Sequence, residues 1–213
     1  TLKTTASFTI NTKRGIQLDT SNSTINVDAS TTLTYAGIIV HQDSETNNGY
    51  TKSGGGTFAL SGDSTYSGVT TISAGVITIA HAGSLGSTSG ATSITSGAAL
   101  SISGGITVAE PITVNGTGVS SGGAIVFTAN DNTYSGAITL GSTSTIVSTG
   151  GAQTISATVN GGQALTITAN GNLVISGAVG GSTDLSSYAV TTTGSASQTF
   201  SANVETTGNQ TYT

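Results

Sequence analysis

The 213 residues carry a net charge of −5, with only 6% charged side chains, one proline and no cysteine, methionine or tryptophan. All four cations, Lys3, Lys13, Arg14 and Lys52, fall in the first quarter. The remainder offers no basic surface to a phosphate backbone or an anionic membrane, which argues against nucleic-acid binding. Absent cysteine excludes disulfides and thiolate metal sites, and no apolar run approaches the roughly 20 residues of a membrane helix, so no membrane insertion is expected.

The first forty residues alternate apolar and polar side chains at 7–10, 15–18, 24–27 and 32–35, the period of half-buried strands. The most polar stretch, 41–53, HQDSETNNGYTKS, reads as a loop or excursion from the regular body. Short strands follow at 57–61, 69–73 and 76–79, broken by Gly62-Asp63-Ser64 and Ala74-Gly75. Further runs lie at 92–94, 99–102, 106–108, 111–114 and 124–127. From 137 onward they recur at intervals of about ten residues with Gly or Asn between, at 137–140, 145–147, 154–156, 164–168, 173–175, 189–191 and 199–202.

The plan of residues 54–68, GGGTFALSGDSTYSG, returns at 122–136 as GGAIVFTANDNTYSG. Within it DSTYSG (63–68) is answered by DNTYSG (131–136), five of six residues identical at a separation of 68. Thin strands, few aromatics and a simple recurring unit favour stacked coils over a sandwich. The expectation is an all-β, parallel β-helix forming a single unit over 1–213. Coils of roughly 20 residues would give about ten coils and a rod near 50 Å. Phe58, Leu60, Ile72, Ile77, Ile79, Leu100, Ile102, Val126, Ile138, Leu140, Leu165, Ile167, Val174 and Phe200 are its expected core. The chain begins without Met and stops within a motif at Tyr212-Thr213, so it reads as a fragment of a longer protein.

The segment GGGTFALSGDSTYSGVTTISAGVITI (54–79), followed by HAGSLG (81–86), resembles the autotransporter-associated β-strand repeat of bacterial passenger domains. TTLTY (31–35) and YTKSG (50–54) resemble its lead-in. Residues 161–213, with ISGAVGG (175–181) and TTGNQTY (206–212), are similar to repeats of filamentous-haemagglutinin-like adhesins. The resemblance implies a right-handed parallel β-helix exported across the outer membrane to a Gram-negative cell surface or the medium. It also implies a part in transport and stalk building, not catalysis.

Several residues invite chemical readings. Gly118-Val-Ser120-Ser-Gly122 matches the nucleophile-elbow pattern, which needs a strand-to-helix turn and a downstream His; both histidines lie upstream. His41, Asp43 and Glu45 would share one face of an extended segment, as metal ligands do, but Asn47-Asn48-Gly49 favours a solvated loop. Asp63 and Asp131 occupy equivalent turns, where a side-chain bond to the turn backbone explains them better than calcium. Tyr66 and Tyr134 read as stacked aromatics beside the coil in preference to a sugar platform. Glu110, Asp131 and Asp184 are too dispersed in sequence for an evident glycan-cleaving cluster. Asn22, Asn115 and Asn209 begin glycosylation-type triplets of the kind a Thr-rich chain produces by chance. Rows of Thr raise ice binding, against which their irregular spacing weighs.

No catalytic, cofactor or metal residue is assigned. The primary expectation is a non-enzymatic stalk or fibre-forming segment of a surface or secreted adhesin, self-associating by axial stacking. Its further partner would be a glycan or protein of a host or neighbouring cell. The alternative is a β-helical glycan-binding or glycan-cleaving protein.

Overall fold

The computed structural model describes residues 1–20, 23–42, 47–128, 130–193 and 196–213. The chain winds as a parallel β-solenoid with three faces, and every pairing between its named strands is parallel. Its only helical element among the described residues is one short 3-10 turn, Val119–Ser121.

The first face stacks Leu2–Thr4, Ser23–Val27, Tyr50–Ser53, Thr70–Ile72, Thr92–Ile94, Ile112–Gly116, the start of Ile138–Ser148, and Val159–Asn160. The second is the most continuous. It runs from Phe8–Ile10 through Thr32–Tyr35, Thr57–Leu60, Gly75–Ile79, Ala98–Ile102, Ile125–Phe127, the end of Ile138–Ser148, Ala164–Ala169 and Ser187–Thr192 to Gln210–Tyr212. The third pairs Ile16–Leu18 with Ile39–His41, and later stacks Thr107–Val108, Thr133–Tyr134, Gln153–Ile155, Leu173–Ile175 and Gln198–Phe200. Register sets the length of a turn. Phe58 pairs with Ile77 after 19 residues, and Leu100 with Ile125 after 25. About nine full turns result, in line with the expected coil count.

The interior is aliphatic because period-two alternation gives each short strand one or two inward side chains. One column on the second face runs Leu33, Phe58, Ile77, Leu100, Ile125, Ile146, Ile167 and Val190, all buried. Burying each such side chain contributes about 1.5–3 kcal/mol, which offsets the ordering of a turn made largely of Gly, Ser and Thr.

Most expected core residues are inside, with three exceptions. Val126 and Val174 face outward, and their neighbours Ile125, Phe127, Leu173 and Ile175 point in. Phe200 packs only partly against the core. The polar stretch 41–53 also divides differently. His41 closes the strand Ile39–His41, residues 43–46 lie outside the described residues, and Tyr50–Ser53 is a rung of the first face with Tyr50 and Lys52 buried.

Candidate functional site

The repeated hexapeptides are equivalent corners of the third face. Ser64 Oγ accepts a hydrogen bond from Ile39 N, and Asn132 Oδ1 accepts from Gly105 N (3.0 Å) and Ile106 N (3.1 Å), so each ties its corner to the turn before it. Two residues on, Tyr66 and Tyr134 point into the core and are 0% exposed. Tyr66 OH lies 2.6 Å from Thr70 Oγ1, and Tyr134 OH donates to Glu110 O at 2.7 Å. At Gly68 and Gly136 the backbone of the preceding turn passes so close that an added Cβ would stand 2.2 Å from Asn47 O and Glu110 O respectively. The motif is a recipe for a tight corner filled by a tyrosine. Neither tyrosine flanks the coil from outside or offers a sugar platform, which corrects the expected placement.

Lys52 takes an inward position between Ile25 and Ile72 in the register. It is fully buried, and its Nζ donates to Gly54 O (2.8 Å) and Ala74 O (2.9 Å), fastening two stacked corners together. Burial pushes its ammonium down to about 8. Tyr50, two residues earlier, meets Tyr66 and Phe58 edge to face at 5.5 and 6.2 Å between ring centres.

A line of polar side chains runs along the same interior corner. Tyr50, Thr70 and Thr92 are stacked rung partners, followed by Ile112, and all four are buried. Glu110, two residues before Ile112, is buried beside them at 3% exposure. Neither of its carboxyl oxygens has a well-formed hydrogen bond, nor does Thr92 Oγ1. Burial pushes this carboxyl up to about 7, with the nearby Thr92 hydroxyl opposing the shift weakly.

The other carboxylates do not join it. Asp131 and Asp184 are exposed, and Asp131 Oδ1 accepts from Ala152 N of the following turn (2.8 Å) instead of its own turn backbone. Asp63, its equivalent, stands 3.7 Å from His81 Nδ1 on the surface. Among the described residues no group of three His, Cys, Asp or Glu is placed to hold a metal. His41 ends a third-face strand, whereas Asp43 and Glu45 lie outside the described residues.

Ser120 sits in the 3-10 turn at φ 50, in a loop between first and second faces, and among the described residues no helix of useful length follows it. That loop overlies the second face. Val119, Gly122 and Gly123 meet Val76, Ala99, Ser101 and Val126 around a groove of about 210 Å³. The outward columns of this face do align, with Thr145, Thr166 and Ala189 beside Val147, Thr168 and Thr191. They mix Thr with Ala and Val and are interrupted by the loop, unlike the flat threonine array ice binding wants. Of the glycosylation-type triplets, Asn115 donates to Ile94 O at 2.8 Å, Asn209 is exposed and Asn22 lies outside the described residues.

Sequence reasoning passed over the bridging amides. Asn160 Oδ1 accepts from Ser182 N and Thr183 N, Asn172 Oδ1 from Ser197 N, and Gln153 Oε1 from Asn132 N. Each crosses to the neighbouring turn, and the signal the sequence offers is an Asn beside a corner Gly, Asn160 before Gly161 and Asn172 after Gly171.

No curated protein and no solved structure matches the chain. A family model does: the passenger-associated-transport-repeat covers residues 51–79, the stretch from the Lys52 rung through Gly75–Ile79. That repeat, set within a parallel β-solenoid, fits a passenger segment of an autotransporter, a class exported to the cell surface or the extracellular space.

Proposed function

We propose that the chain is a non-enzymatic structural segment of an exported adhesin, a rod that holds other parts away from the cell and associates end to end. The observation that carries this reading is the inward column of the second face, which continues without a break from Leu33 to Val190. A solenoid transmits its rigidity through such a column because each turn packs on its neighbours. The passenger repeat within it supports an extracellular position.

End-to-end association rests on the fold type: each turn of a solenoid pairs with its neighbours through backbone strand edges, so a further copy stacked on the column would extend the same pairing.

Sedimentation velocity and electron microscopy of the purified chain test the proposal. Concentration-dependent particles that lengthen at constant width support it; particles of one length at every concentration overturn the end-to-end part. Turnover of a polysaccharide that is abolished by a single carboxylate substitution would overturn the non-enzymatic part.

A further inference from the structure

Glu110 stands apart from every other acid among the described residues. It is 3% exposed, and neither carboxyl oxygen has a well-formed hydrogen bond, the Thr92 hydroxyl being the polar group beside it. The groups around it are hydroxyls and rings. Thr92 Oγ1 on the stacked strand has no other partner of good geometry, and the Tyr66 hydroxyl is committed to Thr70. Tyr134, packed from the following turn, spends its proton on the backbone carbonyl of Glu110 and not on its carboxyl.

No positive charge balances it. The chain has no Lys or Arg after Lys52, and Lys52 Nζ is engaged with Gly54 O and Ala74 O three turns away. His81 is exposed beside Asp63. The titratable groups facing Glu110 are therefore Tyr66 and Tyr134, both neutral, and each interacts unfavourably with an ionised Glu110. A buried carboxyl in such surroundings is tolerated as the neutral acid, whose O–H can donate to Thr92 Oγ1, and resisted as the anion.

Position makes this local. Glu110 lies where the third face turns into the first, immediately before Pro111, and its carbonyl is held by Tyr134 OH while Gly136 passes against it. An anion there leaves the core only if the turns on either side part. We propose that Glu110 is a proton-controlled latch in the middle of the solenoid: neutral, it keeps the turns through Thr92, Ile112 and Tyr134 closed, and ionised, it opens them ahead of the rest of the rod. This device is independent of whether the rod serves as a stalk.

The shifted carboxyl supports the direction, since burial holds its proton up to about pH 7 in the fold against about 4.5 for an ordinary glutamate. Opening should then rise on the order of a hundredfold between pH 4.5 and 8. Native-state hydrogen exchange at several pH values, corrected for intrinsic exchange, reads this opening in peptides covering 92–94, 107–116 and 133–140. The full chain is compared with its Glu110→Gln variant. The latch predicts a large pH-dependent rise in those peptides alone, abolished in E110Q. An equal rise in E110Q, or a rise spread evenly along the chain, overturns it. Should E110Q fail to fold, carboxyl carbon NMR of the unaltered chain labelled at its three glutamates decides. One resonance titrating near neutrality sustains the latch, and three titrating below pH 5 refute it.

Discussion

Lys52 and Glu110 point into the same core and do not meet. Lys52 stands in the rung Tyr50–Ser53 and Glu110 just before the rung Ile112–Gly116, three turns on, or about 14 Å along the axis. Each is buried, and neither forms an ion pair among the described residues. Burial therefore acts on each charge separately, and in opposite senses.

The consequence is an inverted stability profile. The fold holds the Glu110 proton more tightly than the unfolded chain, so its stabilising contribution is full below about pH 4.5 and is lost as pH rises through 7. The fold holds the Lys52 proton less tightly, so that contribution is full above about pH 10.5 and is lost as pH falls through 8. Urea unfolding from pH 4.5 to 9.5 should show a trough between pH 7 and 8, with rises on both sides that approach about 3 kcal/mol each at full extent. Lys52→Met should remove the rise above pH 8 and leave the rise below pH 7. A maximum at neutrality would refute the assignment.

The register of the apolar runs is open to a paired substitution. Ile125→Ala removes an inward side chain and should cost about 2–5 kcal/mol, whereas Val126→Thr on the outer surface should stay within about 0.5 kcal/mol. Chemical denaturation of the two variants checks this, and comparable losses would place Val126 in the core after all.

The hexapeptide corners yield a third expectation. Gly136→Ala drives a methyl group against Glu110 O, and Gly68→Ala does the same against Asn47 O. Backbone cannot move aside cheaply there, so each should cost on the order of 2 kcal/mol or more. Tyr134→Phe, which leaves Glu110 O without its partner, should cost about 1–3 kcal/mol. Thermal melts that show Gly136→Ala neutral would contradict the close approach.

Much of this fold is legible in the residues, and the misses have physical reasons. Strict alternation, as in Thr57-Phe58-Ala59-Leu60, assigns inside and outside without ambiguity. An unbroken apolar run such as Ile125-Val126-Phe127 or Leu173-Val174-Ile175 has two valid registers, and the outward Val is read as core. The rung Tyr50–Ser53 escapes because one of its two inward residues is a lysine, whose burial becomes acceptable only once two carbonyl oxygens converge on it from separate corners. Tyr66 and Tyr134 are found as a repeated pair, yet their burial depends on which way a corner closes. Glu110 draws notice only as part of a dispersed acidic set, because nothing local marks a carboxyl that the winding of the chain carries indoors.

The single winding column is tested most directly by cross-linking, since the chain has no cysteine of its own. Thr166 pairs with Ala189 and Thr168 with Thr191 on adjacent outer rungs, a spacing within disulfide reach. Under mild oxidation the double variants Thr166→Cys/Ala189→Cys and Thr168→Cys/Thr191→Cys should both close a disulfide, measured by mass spectrometry after digestion. Closure instead of the exchanged pairs, Thr166→Cys/Thr191→Cys and Thr168→Cys/Ala189→Cys, would mean antiparallel strands and would contradict the solenoid.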